Sequence, residues 1–401
     1  MKNKIKLCII TMLLLINSMS FLLAEEKELE EISLMEFKQN YLSNYSIEKK
    51  IKLKGKGRDY AVAKKTGDFI GIIESDNKLN VVFWDKDGNK KWSKIYNNYY
   101  LAKCVISNNA ETIVLYLGKE MYTTNIILSK NGIEQKRIRR KDRWLHPSPN
   151  GKYLYWRIGE FASSWPDGIE LRNKFGEKLN LKGNPLNEKN RVGIKFINNN
   201  TLIVGHRDYS GNNIISMYEI DNQNLKEIWS KRLDFRIPFL TRDFNIRKVS
   251  YNKKYIAIYA RNSTSKLYIF DYNGKIVYKK NKPYASLRFI ELESIIAANW
   301  DKNFPTTLIN LNEKKEDYLE FEFKRFDNFN KISNFNDIVL FNIVRVPCSK
   351  DQYRTIIWDK NKKSKSLKFV NEKIFKLNDD TLISFGYKKN PEINIISGSK
   401  K

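Results

Sequence analysis

One unit recurs along this chain and restricts its fold more than any other feature. It is a β-branched and aromatic run, a polar hairpin with a glycine at its turn, and a second run. The best copy is Val81-Val82-Phe83-Trp84-Asp85-Lys86-Asp87-Gly88-Asn89-Lys90-Lys91-Trp92. Glycine supplies the positive φ that such a tight turn needs. The turn returns at Asn131-Gly132, Phe175-Gly176 and Asn273-Gly274. Gly88, Gly132 and Gly176 are spaced by 44 residues, and Gly274 follows 98 residues later, or two periods of 49. The intervening hairpin reads at Asp221–Leu225, and weaker copies read at 310–314 and 359–363, making seven.

A second pair of strands with a polar corner lies upstream of each hairpin. The corners are Ser107-Asn108-Asn109, Ser148-Pro149-Asn150-Gly151-Lys152, Asn198-Asn199-Asn200 and Tyr251-Asn252-Lys253-Lys254. Each unit is therefore four strands in about 45 residues, the period of a propeller blade. Such a unit cannot bury both of its faces alone, so units pack face to face in a ring. The expected fold is an all-β β-propeller. Three further strands, 373–377, 381–387 and 392–396, follow the seventh hairpin, and one strand, 47–53, precedes the first unit. Joining them closes a ring of eight blades and removes an exposed edge. A seven-bladed ring with a capping tail is the alternative. Residues 25–46 are acidic, and Leu29, Ile32, Met35, Phe37, Tyr41 and Leu42 recur near helical spacing. They predict a short amphipathic helix at about 27–43, docked on its own domain. The expected organisation is a leader over 1–24, this acidic segment over 25–46, and one propeller domain over 47–401.

The leader reads as an export signal. Lys2, Lys4 and Lys6 precede an apolar run from Leu7 to Ile16, with small residues after it. Cleavage after Ala24 or after Ser20 fits the pattern. As a helix, 7–23 would span only ~26 Å, short of a bilayer's ~30 Å. The protein is thus expected to be exported, periplasmic or secreted, with no transmembrane segment after cleavage. The net charge is +28, and removing 1–24 takes three lysines and no acid, leaving +25. That excess suits an anionic partner, yet the lysines are scattered, so a nucleic-acid partner is not expected. Cys8 lies in the leader. Cys104 and Cys348 are read as two buried thiols, with no zinc spacing.

Two short resemblances accompany the repeat. The stretch Asp85 to Trp92 resembles the repeat of quinoprotein-type propellers, in which an Asp and a Gly-Lys turn precede a Trp that docks between blades. Asp221 through Lys226 to Trp229 is a second copy without glycine. Ser148-Pro149-Asn150-Gly151-Lys152-Tyr153-Leu154 resembles the turn of periplasmic tryptophan–aspartate-like (WD40-like) propellers. These resemblances imply the fold and an envelope setting. The chain lacks the Cys-Cys pair of quinone dehydrogenases, the Ser-x-Asp-x-Gly-x-Thr-Trp turns of sialidases, and any G-x-S-x-G elbow. No catalytic, cofactor or metal residues are assigned. His146 and His206 lie in different units. Asp85, Asp221, Asp271 and Asp359 are read as hairpin-fixing acids.

Binding is expected on the connections that leave the second and fourth strands of each unit, which open on one face. The candidates are Arg140, Arg143 and Trp144 in a dense basic stretch, Trp165, Arg207 with Tyr209, Arg236 and Arg242, Trp300, and Tyr353 with Arg354. Arginine beside aromatics is the mixture enriched at protein interfaces. The chain thus reads as a monomeric, non-catalytic scaffold for a protein or an anionic envelope polymer, resembling the lipoprotein propeller of the outer-membrane β-barrel assembly machinery. Two alternatives are an enzyme acting on an anionic substrate at the channel mouth, and electrostatic attachment to anionic lipid or cell-wall polymer.

Overall fold

A computed structural model describes residues 30–31, 42, 44–119, 122–140, 143–158, 170–179, 193–207, 212–221, 224–234, 244–249, 254–260, 266–281, 286–289, 294–298, 307–318, 327–335, 338–345, 353–359, 366–370, 372–378, 381–387 and 390–398. The leader, Cys348 and the corner at 251–253 lie outside them. The described chain is all β, and its strands form eight sheets. Sheets 1 to 7 take consecutive segments: 56–97, 101–140, 143–173, 193–232, 244–281, 286–318 and 327–370. Sheet 8 takes 372–398 and adds Tyr45–Lys52 beside Glu392–Gly398. Within each of these consecutive segments, neighbouring strands are antiparallel and adjacent in sequence. Sheet 3 has three strands, extended by an Arg172–Lys178 bridge.

The apolar runs are unbroken because both faces of a sheet are covered. Alternate side chains on a strand point to opposite faces. On Lys78–Trp84, Val81 and Phe83 join a cluster with Ile113, Leu115 and Ile126 of sheet 2. Val82 and Trp84 join the opposite cluster, with Phe385 and Ile395 of sheet 8. On Thr112–Lys119, Leu115 faces sheet 1, while Val114 and Tyr116 pack against Leu145 and Leu154 of sheet 3. Further clusters fill the junctions of sheets 3 and 4, 4 and 5, and 5 and 6. Cores thus lie between sheets. Sheet 8 closes on sheet 1 in the same way, with Tyr60 Oη donating to the Gly386 carbonyl at 3.2 Å and Tyr60 stacked on Phe385 at 4.5 Å.

Hairpin glycines meet the preceding sheet. Gly132 has φ +79°, and a Cβ there would lie 2.9 Å from the Trp92 ring. Trp92 Nε1 donates to the Lys130 carbonyl at 2.8 Å. Trp229 repeats this three sheets later, in sheet 4: its Nε1 donates to the Tyr272 carbonyl at 2.9 Å, and a Cβ on Gly274 would come within 2.7 Å of its ring. Corners are also joined across sheets. The Lys65 N–H donates to the Asn108 carbonyl at 2.7 Å, and the Asn108 N–H donates to the Pro149 carbonyl at 2.8 Å.

Asp85 and Asp271 fix their hairpins as expected. Asp85 Oδ1 accepts the N–H groups of Asp87 (3.1 Å) and Asn89 (2.8 Å), and Asp271 does the same for Asn273 and Lys275. Partial burial pushes the Asp85 carboxyl up, but hydrogen bonds from Lys91 and from Asn89 outweigh it and hold the pKa down at about 2. A carboxylate depressed when folded stabilises above its unfolded pKa of ~3.9 and loses that stabilisation as pH falls toward the folded value. Stability is therefore expected to fall between about pH 5 and pH 2. Asp85→Asn should flatten that slope in urea melts taken across this range, and an unchanged slope would show that Asp85 does not contribute.

The helix expected at about 27–43 needs correction where it is described. Glu30 and Glu31 form a short strand, parallel to Leu367 and Lys368 of Ser366–Val370. An open sheet edge presents unpaired N–H and C=O groups that an extended segment satisfies and a helix cannot. Leu42 is buried, and its carbonyl accepts the Tyr45 N–H at 2.9 Å. The rest of that segment lies outside the described residues.

Candidate functional site

In an antiparallel four-stranded sheet, the connection from strand two to three and the connection to the next sheet leave at the same end. The candidates sort onto that end. Arg140 closes Glu134–Arg140, Arg143 and Trp144 open Arg143–Pro147, and Arg207 closes Thr201–Arg207. Tyr353 and Arg354 are not in a loop: they open Tyr353–Asp359 and pair with Val344 and Ile343. Trp165, Tyr209, Arg236, Arg242 and Trp300 lie outside the described residues. The strand ends that flank them are of this same kind.

Trp144 has defined surroundings. Its ring stacks on Tyr116 at 5.5 Å, and Lys103 Nζ lies 4.3 Å from its centroid. Tyr116 Oη donates to the Leu145 carbonyl at 2.9 Å, and the Leu145 N–H donates to the buried Asn125 side chain at 3.0 Å. Tyr116 is thereby locked at the junction of sheets 2 and 3, and it presents a fixed platform to Trp144. His146 sits 5.8 Å from both Tyr116 and Tyr155, among aromatics. Cys104 is buried as expected, in the core between sheets 1 and 2, and its N–H donates to Asp59 at 2.9 Å.

Beside this platform lies a cleft of about 290 Å³ lined by Tyr99, Lys119, Tyr122, Thr124 and Arg139. Arg139 pairs in register with Thr124, which brings its guanidinium carbon 4.4 Å over the Tyr122 ring. That arrangement keeps a planar cation over an aromatic face. Tyr122 is 41% exposed, Tyr100 60% and Leu101 37%. Gly118 lets Leu101 approach, since a Cβ there would fall 2.7 Å from the Leu101 Cβ. The lining holds two cations and no carboxylate, so it suits contact with a polar or acidic surface. Among the described residues, no cluster of three or more His, Cys, Asp or Glu could hold a metal. No helix among them is long and apolar enough to cross a membrane.

The sequence reading chose Arg140, Arg143 and Trp144 from the basic stretch that opens with Arg139, and passed over Tyr99, Lys119, Tyr122 and Thr124 as lining. The signal was present: the connection Asn98-Tyr99-Tyr100, which joins sheets 1 and 2 at the same end, carries two adjacent aromatics.

No protein-family model matches the chain, and no curated protein matches it in sequence. Solved structures match its shape. The C-terminal WD40 domain of Sif2 is 10% identical, with 86% of this chain and 97% of that domain covered at a TM-score of 0.51. Saccharomyces cerevisiae Sqt1 is 9% identical, with 88% and 97% covered at 0.52. The Dos1 propeller is 10% identical, with 89% and 96% covered at 0.53. With the between-sheet cores and the closing strand, these likenesses establish the architecture: the chain folds as a WD40-like β-propeller.

Proposed function

We propose that this protein is a non-catalytic, exported propeller of eight blades, acting as a monomeric scaffold that binds a protein partner at its loop-bearing end. The cleft formed by Tyr99, Lys119, Tyr122, Thr124 and Arg139 supports this reading most. It joins exposed aromatics to cations on rigid strand ends, the composition of interface hot spots. The propeller neighbours add a shared fold and nothing finer, so the partner class rests on the cleft.

The test is cross-linking of the tagged, exported protein in its native cells, compared with Tyr122→Ala/Arg139→Ala. Losing an aromatic and an arginine from a hot spot costs ~2–4 kcal/mol, so a specific partner should drop more than tenfold in recovery. Equal recovery from both proteins, with unchanged melting, would remove the cleft as the binding site. Amino-terminal sequencing of the same protein checks export: the mature chain should begin at Glu25 or Phe21, and an intact Met1 would refute cleavage.

A further inference from the structure

Sheet 2 ends in an outer strand with an open side. Glu134–Arg140 is the last strand of its sheet, and among the described residues no strand pairs with its other side. Such an edge presents main-chain N–H and C=O groups in a row. Its register with Tyr122–Ser129 slips between Glu134 and Lys136 and is unbroken from Lys136 to Arg140, about 17 Å of regular template. Exposed Ile133 precedes this run, and exposed Tyr122 lies beside its far end. At that far end is the cleft of Tyr99, Lys119, Tyr122, Thr124 and Arg139. A guest strand on this edge would therefore run into the cleft.

The edge selects by charge. It carries Lys136, Arg137 and Arg139, and Glu134 is the one acid of the strand. Arg137 is held by Glu134 at 2.9 Å, which leaves Lys136 and Arg139 beside Lys119 of the cleft. Among the described residues, no carboxylate pairs with these three. A guanidinium donates in its own plane, so Arg139 can stack over Tyr122 and still bind a carboxylate. Cations on an edge deter a neutral or basic strand and attract an acidic one. The chain accepts such a guest elsewhere. Glu30 and Glu31 add in parallel to Ser366–Val370, the outer strand of sheet 7, as a fifth strand. Strand addition at an outer edge is thus built into this fold, and its guest there is a pair of glutamates. A lipid surface or a polymer without peptide bonds has no main-chain groups to offer the edge.

We propose that Glu134–Arg140 receives an acidic, extended segment of a protein partner as a fifth strand of sheet 2, with one of its carboxylates held by Lys119 and Arg139 in the cleft. The inference rests on the cleft being the partner site and adds how the partner is held. The probe is a labelled synthetic peptide, acetyl-Glu-Thr-Glu-Val-Glu-Thr-Glu-amide. The same peptide with its amides N-methylated has equal charge and no main-chain donor. Binding is read by fluorescence anisotropy at about 150 mM salt, where exposed charges more than ~8 Å apart are largely screened. The acidic peptide should bind about tenfold more tightly than its N-methylated form, and it should slow amide exchange at Glu134–Arg140 of the wild type. Lys136 and Arg137 lie on the edge but outside the cleft lining. Lys136→Glu/Arg137→Glu should weaken the peptide about tenfold and reduce recovery of the cross-linked cellular partner, with unchanged melting. Lys226→Glu/Lys231→Glu reverses the same charge on the outer strand of sheet 4 and should change neither. If Tyr122→Ala/Arg139→Ala loses the partner while Lys136→Glu/Arg137→Glu keeps it, the cleft stands and strand addition falls. Equal binding of the N-methylated peptide, no binding up to millimolar peptide, or unprotected amides at Glu134–Arg140 would likewise overturn the proposal. The exchange measurement uses the wild type, so it decides even where a variant misfolds.

Discussion

Trp92→Ala should lower the unfolding free energy by ~3 kcal/mol in urea denaturation, and Trp92→Phe by only ~1 kcal/mol. The indole makes three separate contributions. Its ring stacks on Phe83 at 5.4 Å and nearly parallel, it packs against the cluster between sheets 1 and 2, and its Nε1 donates to the Lys130 carbonyl across the junction. Phenylalanine retains the first two in part and loses the third. The ring also covers the Gly132 turn, where any side chain would both clash and force a residue to φ +79°. Gly132→Val should therefore cost at least as much as Trp92→Ala, and the double variant should cost less than the sum, because both changes disrupt one contact. Strict additivity, or losses below ~0.5 kcal/mol, would show that the docked tryptophan does not hold the blades together.

Deletion of residues 1–53 removes the strand Tyr45–Lys52 and should have the larger effect. That strand pairs along its whole length with Glu392–Gly398. Ile51 packs on the cluster shared by sheets 8 and 1, Lys49 Nζ donates to the Asn89 side chain at 2.7 Å, and the Leu53 N–H donates to the Pro391 carbonyl at 3.0 Å. Losing about six main-chain hydrogen bonds and the packing costs on the order of 5 kcal/mol, equivalent to a midpoint drop of ~10 °C or more. The uncovered edge, Ile393 to Ile396, carries buried side chains on both faces. Such an edge templates pairing with another chain. Size-exclusion chromatography should show association of the truncated protein, and a synthetic peptide of residues 44–54 should restore the monomer and the midpoint. A truncated protein that stays monomeric and melts at the original temperature would mean that the ring does not depend on this closure.

Much of the architecture could be read in advance because propeller blades are specified locally. The Asp85–Gly88 and Asp271–Gly274 turns carry their own acceptors and their own positive φ within four residues. The period followed from counting those turns. The N-terminal strand was assigned to sheet 8 because three strands were left over after the last hairpin and one before the first. The acidic segment misled the reading for a related reason. Its apolar spacing matched a helix, but Glu30–Glu31 pair with a strand more than 300 residues away, at an edge whose availability no local pattern announces.

The candidate site was only half legible in the sequence. Arg140, Arg143 and Trp144 were visible as a dense basic and aromatic stretch. Tyr99, Lys119, Tyr122 and Arg139 were not visible as a group, because they come from a connection and three separate strands and meet only through the register of Tyr122–Ser129 with Glu134–Arg140 and the approach of sheet 1 to sheet 2. Turn chemistry and the period-two burial of strands act over a few residues, so the amino-acid sequence alone determined the blade, its repeat and the order in which the ring closes. Which side chains face one another depends on register and packing between sheets that lie tens of residues apart, and that was decided by the tertiary structure.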